Sequence, residues 1–152
     1  MLWNTRANCE RREPLAKIVF IDTNPLIYLL GKQEPYYTKV LKFMSDCIDE
    51  DAEFYTSTIT DAEFLVKPYE DKDLNQIHKY KNYLSSLEFL KCFISEQVAE
   101  KAAQLRVDYP SVKLGDALQM AASIDCNCDI FLTNDKQLKQ VNEAKVLYLG
   151  DL

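Results

Sequence analysis

The sequence predicts an α/β fold built on a mainly parallel sheet, and three observations carry that prediction. Short β-branched and aromatic runs alternate with longer segments of helical apolar period, the pattern of repeated strand and helix units. The runs IVFI at 18–21 and IFL at 130–132 are apolar throughout, as expected of strands covered on both faces. With 152 residues, 47% hydrophobic and 28% charged, the chain has material for one domain with a sizeable core and needs no staples to hold it.

Residues 1–16 carry three Arg, two Glu and no apolar period, and read as a poorly ordered extension ahead of a single domain at 17–152. The first strand, IVFI, ends at Asp22. Asn24 is the expected cap of the helix that follows, with Pro25 at its first position and Gly31 after its last apolar pair. Tyr36 to Glu50 has a helical period, and Glu53 to Thr56 reads as the second strand. A helix is expected from Thr60 to Lys67, stopped by Pro68, and another from Asp71 to Ser86. Glu88 to Ile94 reads as a strand, and Ser95 caps a helix reaching Arg106. Val112 to Asp125 is helical, Asp129 to Leu132 a strand, Asn134 to Val141 a short helix and Val146 to Leu149 the last strand.

Lys and Arg total 18 against 24 Asp and Glu, a formal charge of −6, which is not the profile of a protein that grips nucleic acid mainly through phosphate contacts. No run approaches the roughly 18 apolar residues of a membrane span, and the N-terminus lacks the apolar stretch of a secretion signal. Five cysteines, at 9, 47, 92, 126 and 128, show no disulfide-framework spacing, so a reduced, cytoplasmic protein is expected. Cys47 and Cys92 read as small core residues, and Cys126-x-Cys128 lacks the second pair that zinc would need. The one histidine, His78, falls near the apolar side of its helix beside Leu74 and Ile77, and a multi-histidine metal site is excluded.

Acidic residues mark the ends of two strands. VFI-Asp22-Thr23-Asn24 and IFL-Thr133-Asn134-Asp135 place carboxylates at carboxyl ends of strands, where open α/β sheets bind their ligands. Helix capping competes as an explanation, more for Asp135 than for Asp22, whose capping role Asn24 would take. Glu63 fits a capping box begun at Thr60, while a register begun at Thr58 gives that role to Asp61 and frees Glu63; the sequence allows both. Asp116 opens the helix KLGDALQMAASI, at the border of an apolar arc made by Leu114, Ala117, Leu118 and Ala121 and widened by Met120 and Ile124. Taken alone it would be a first-turn acid favoured by the helix dipole.

In order and spacing these segments, Ile21-Asp22-Thr23-Asn24, Ser57 to Glu63, Gly115 to Ala122 and Leu132-Thr133-Asn134-Asp135, resemble the PIN-domain ribonucleases, and among them the small VapC-type toxins of toxin–antitoxin pairs. The resemblance spans about residues 17–150. It implies a three-layer, Rossmann-like fold with about five strands between helices, and an acidic metal-binding and catalytic set of Asp22, Glu63, Asp116 and Asp135. Thr133 matches a hydroxyl lining that site, and Asn24 a group supporting it. A small antitoxin covering the acids, with a basic side chain reaching into them, and a homodimer are implied as partners.

Carboxylate oxygens suit Mg²⁺ or Mn²⁺ better than Zn²⁺, and crowded carboxylates repel one another or take up protons unless a cation neutralises them. One or two such ions would acidify a water and offset charge growing on a scissile phosphate, so the expected reaction is hydrolysis of RNA phosphodiester bonds. Lys67 and Lys72, near the Glu63 helix, are candidate RNA contacts, although a solvated helix face is the commoner use of such residues. Two alternatives remain: a solitary nuclease of RNA processing, and a non-catalytic binding module. A phosphotransferase using Asp22 as nucleophile calls for a second Asp two residues later, where the chain has Asn24.

Overall fold

The computed structural model describes residues 18–152, so the expected extension at 1–16 lies outside the described residues. Five strands form one sheet, β1 (Ile18–Ile21), β2 (Glu53–Ser57), β3 (Leu90–Cys92), β4 (Ile130–Thr133) and β5 (Val146–Tyr148). Every pairing is parallel and the order is β3-β2-β1-β4-β5. Beside them run α1 (Thr23–Leu30), α2 (Tyr36–Asp49), α3 (Thr58–Phe64), α4 (Val66–Glu70), α5 (Leu74–Ser86), α6 (Glu96–Asp108) and α7 (Leu114–Asp125).

The two central strands explain the three layers. Val19 and Ile21 of β1, with Ile130 and Leu132 of β4, enter a core closed by residues of α1, α2, α3 and α5. Phe20 and Phe131 point the other way and stack at 5.1 Å within a core closed by α6 and α7. All of these side chains are buried, as the continuous apolar runs predict.

Several boundaries shift for identifiable reasons. Pro68 does not end a helix but sits in the first turn of α4, where its missing N–H has no intrahelical partner to lose. The next helix begins at Leu74, because the Asp73 carboxylate accepts from the Gln76 N–H at 3.0 Å. Glu88 has φ 52° and belongs to the turn closing α5, which shortens the strand expected at 88–94 to β3. Ser95 caps α6 as expected, accepting from Val98 N–H. The segment after β4 forms a 3₁₀ helix, Lys136–Gln140, within the span expected to be helical.

Helix α5 buries Ile77, Tyr80 and Leu84, which leaves His78 and Leu74 exposed instead of near the core. Leu114 is 55% exposed, because the first residue of α7 projects past the apolar arc it was expected to join. Cys92 on β3 and Cys126 at the end of α7 are joined in a disulfide, against the expectation of separate reduced thiols. They are 34 residues apart, and only the packing of α7 over β3 brings them together. Cys47 and Cys128 are free. Among the described residues no helix is long and apolar enough to cross a membrane.

Candidate active site

The strand order turns back at β1, whose neighbours are β2 on one side and β4 on the other. The crevice outside the carboxyl ends of β1 and β4 is therefore the switch point at which ligands bind in open parallel sheets. Asp22 follows β1 and its N–H still donates to Leu132 O of β4 at 3.0 Å, so the sheet itself holds its backbone. Asp22 also caps α1, a role expected of Asn24: its Oδ1 accepts from Thr23 N–H at 2.8 Å. The reason lies in α1 starting at Thr23, two residues earlier than Pro25 implied, which leaves Asn24 exposed inside the helix and outside the pair of bonds Asp22 makes.

The second oxygen of Asp22, Oδ2, accepts from the Thr133 hydroxyl at 2.8 Å. The Thr133 oxygen in turn accepts from Asp135 N–H at 3.0 Å, so one buried hydroxyl ties the carboxylate after β1 to the backbone after β4. Asp135 caps the following 3₁₀ helix through its Oδ1, which accepts from Gln137 N–H at 2.9 Å. Capping and site-building are thus not alternatives here, because one oxygen of each residue suffices for the cap.

For Glu63 the question was register. Ser57 caps α3, with its Oγ accepting from Ile59 N–H, and neither proposed capping box forms. Glu63 is freed from capping, and its Oε1 lies against Gly115 of α7. Asp116, the next residue, is half-buried in the first turn of the same helix.

A polar cluster that sequence reasoning missed lies beneath these acids. Gln119, fully buried on α7, donates from Nε2 to Thr23 Oγ1 at 3.0 Å and to Thr60 Oγ1 at 2.8 Å, and its Oε1 accepts from the Ser57 hydroxyl. Thr56 donates to Ile21 O at 3.0 Å within the same cluster. One amide therefore pins α7, α1 and α3, the helices that carry Asp116 in the first turn, Asp22 as the cap and Glu63 near the end. Nothing in the sequence marked it, because Gln119 falls on the side of α7 opposite the apolar arc and its partners come together only when the helices are packed.

The acids act on one another. Burial pushes the Asp22 carboxyl up to about 7, opposed by the bonds from Thr133 and Thr23 and reinforced by the charges of Asp116 and Glu63. Burial also raises the pKa of Asp116, with Asp135 and Glu63 adding to the rise and Lys113 opposing it. Lys113, at the start of α7, is a cation the sequence reading did not single out. Of the lysines it did, Lys67 is paired with Asp71 at 2.9 Å and Glu70 at 4.0 Å, and Lys72 is exposed in the turn after α4 with φ 53°.

A family model described as the PIN domain matches residues 19–144. The chain belongs to the PIN domain family. The matched span includes all four acids, the strands β2, β3 and β4 and all of β1 but its first residue. Among solved structures, this PIN domain is similar to VapBC2 from Rickettsia felis bound to a DNA fragment from its promoter, with TM-score 0.69 and 19% identity over 86% of this chain and 98% of that one. VapBC-1 from nontypeable Haemophilus influenzae gives TM-score 0.68 and 17% identity over 88% and 98% of the two chains. A toxin–antitoxin complex from Klebsiella pneumoniae gives 0.65 and 22% over 86% and 97%. At these identities the likeness is one of fold. A comparison with curated protein sequences gives no match.

In this PIN domain the four acids form a graded set, from Asp22, 4% exposed, through half-buried Asp116 and Asp135 to exposed Glu63. Among the described residues no three carboxylate, imidazole or thiol groups stand close enough to enclose a cation as they are. The donor set nevertheless fits a hard divalent ion. It is all oxygen, its members raise one another's proton affinity, and Lys113 is the cation acting against that rise at Asp116.

Proposed function

We propose that this PIN domain is a Mg²⁺- or Mn²⁺-dependent endoribonuclease acting as the toxin of a toxin–antitoxin pair. The observation that carries this reading is the mutual repulsion of four carboxylates at the sheet's switch point, with Asp22 held at a pKa of about 7. A fold gains nothing from such a cluster unless a cation is meant to join it.

Asp22, Glu63, Asp116 and Asp135 would hold one or two ions, whose chemistry is to acidify a water and offset charge on the scissile phosphate. The chain's own contribution is order. Thr133 fixes one Asp22 oxygen and the Asp135 backbone together, so two ligands move as a unit. Gln119 does the same for the helices carrying Asp22, Glu63 and Asp116. In the cation-free protein Asp22 can keep a proton near neutral pH, which lessens the repulsion, and it would give that proton up to serve as a ligand. Lys113 offers a counter-charge beside Asp116 for a phosphate oxygen, and Lys67 and Lys72 would follow the RNA strand outward past α4. Part of the excess of acid in the composition is then local to the site, and a cation held there would supply, in place of a basic surface, the attraction for phosphate.

The structural neighbours are toxin–antitoxin assemblies, which supports a small antitoxin as the partner that silences the site, with a basic side chain meeting the acids. Exposed Val66, Tyr69 and Leu74 around α4 and the start of α5 are apolar surface suited to such a partner or to a second copy of the chain.

Cleavage of a panel of defined RNAs, single-stranded and hairpin, tests the reading. Wild type should cut with Mn²⁺ and not with EDTA, and Asp22→Asn should fold and lose at least about a hundredfold in rate. Cleavage in EDTA, or a folded Asp22→Asn protein that still cuts, would refute it. A wild type that neither cuts nor is stabilised by Mn²⁺ is the non-catalytic binding module instead.

A further inference from the structure

Gly115 is the second residue of α7, and its backbone is not left-handed, so conformational freedom does not explain a glycine there. Glycine is a poor choice inside a helix, where alanine loses less entropy and leaves less backbone to water. The surroundings supply the reason. A Cβ at Gly115 would lie 2.9 Å from Glu63 Oε1 and would meet no other group beyond its immediate chain and helix neighbours. The other two glycines differ. At Gly31 a Cβ approaches the carbonyl oxygen of Ile27, and at Gly150 it runs into the Tyr148 ring. At Gly115 alone is the occupant of the missing methyl's place a carboxylate of the candidate site.

That carboxylate comes from another element. Glu63 is near the end of α3, itself held to α7 by the bond from Gln119 to Thr60, and its side chain reaches across to the first turn of α7. The turn has no side-chain cap, so a negative charge there meets the positive end of the helix dipole. Asp116 follows Gly115 directly, and its raised pKa includes the charge of Glu63.

We propose that Gly115 is a positioning residue: the absence of a side chain at the second position of α7 leaves the slot in which the Glu63 carboxylate lies beside Asp116, so that the two can share one cation. The proposal rests on the reading of Glu63 and Asp116 as cation ligands. It assigns to the methyl group of an alanine at 115 a specific effect, the displacement of one oxygen ligand, with the rest of the core untouched. Because the group it meets is the far end of a flexible side chain, the fold can absorb the change while the site cannot.

The test compares wild type, Gly115→Ala, Glu63→Asp and the double variant by thermal unfolding in EDTA and by Mn²⁺ titration of the folded protein. In EDTA, Gly115→Ala should melt at or above the wild-type temperature, since alanine is the better helix former. Its Mn²⁺ midpoint should nevertheless rise about tenfold or more, the scale on which disturbing a ligand's support weakens metal binding. Glu63→Asp shortens the side chain by one methylene and withdraws the carboxylate from position 115. The double variant should therefore bind Mn²⁺ no more weakly than Glu63→Asp alone, a strong departure from additivity. A Gly115→Ala protein that binds Mn²⁺ within about twofold of wild type, that adds its full effect to Glu63→Asp, or that fails to fold in EDTA would overturn the proposal. The wild-type titration separates the two levels: no Mn²⁺ binding there removes the ligand reading and the positioning role with it, whereas normal binding in wild type and in Gly115→Ala removes only the latter.

Discussion

Asp61 and Glu63 are two residues apart on α3 and enter opposite electrostatic surroundings. The Asp61 carboxylate accepts from Lys91 with both oxygens and from the Tyr80 hydroxyl at 2.7 Å, and Tyr80 is stacked on Phe64 of the same helix. Burial, and after it the bond to Asp61, holds the Tyr80 phenol well above its ordinary range, so it stays a donor. Here the fold has brought its own cation to the acid. On the other side Glu63 joins Asp22, Asp116 and Asp135, where hydrogen bonds from Thr133 and Thr23 favour the charged form of Asp22 and, among the described residues, Lys113 is the cation acting against the crowding at Asp116. A structural carboxylate is neutralised from within the chain; on the proposed reading the acids at the switch point are neutralised from outside. That difference separates a building element from a site made of the same residue types on the same helix.

The comparison breaks most sharply at Asp22. With its folded pKa raised to about 7 from 3.8, the native state binds more protons than the unfolded chain between those values. Stability of the cation-free protein should therefore fall as pH rises from about 4 to about 7 and level off above, by about 1.4 kcal/mol for each unit of pKa shift. Asp22→Asn should remove this component and make the cation-free protein more stable than wild type at pH 8. Denaturant unfolding in EDTA across that pH range checks it, and a variant with the same slope as wild type would mean that Asp22 is not the buried acid under strain. Asp61, paired within the fold, should show no such gain on neutralisation.

Next in size is Gln119→Leu. It leaves the hydroxyls of Thr23, Thr60 and Ser57 without their shared partner in a buried place, at a cost of roughly 2–4 kcal/mol. Because the amide spans three helices, Mn²⁺ affinity should fall as well, in contrast to an ordinary core defect. Smallest is Lys91→Met, which strips Asp61 of its cation at a partly exposed position. A loss of about 1–2 kcal/mol in chemical denaturation is expected, with Mn²⁺ binding and RNA cleavage within about twofold of wild type. A large effect of Lys91→Met on cleavage would erase the division between the two sides of α3.

Much of the fold was legible because β1 and β4 are covered on both faces and so must be apolar throughout. Asp22 and Asp135 could be read from their place at strand ends, although the sequence assigned the α1 cap to Asn24, since Pro25 marks a first helical position only when the helix starts there. Glu63 could be named but not oriented, because the alternatives differed by a shift of the capping residue that Ser57 decided through tertiary packing. Gln119 and Gly115 were invisible as site residues for a common reason. One acts through partners on three other segments, the other through space that it leaves to a side chain 52 residues earlier in the chain. The disulfide between Cys92 and Cys126 escaped in the same way, since spacing carries no information about which helix covers which strand.

The central claim, that the four acids are built to be joined by a divalent cation, is tested most directly by calorimetric titration of Mn²⁺ into cation-free wild type and Asp22→Asn at about pH 6.5, with proton release followed in parallel. The account predicts that wild type binds Mn²⁺ and releases a proton as Asp22 ionises, while Asp22→Asn binds at least about tenfold more weakly and releases none from this position. Equal affinity and equal proton release in the two proteins would contradict it.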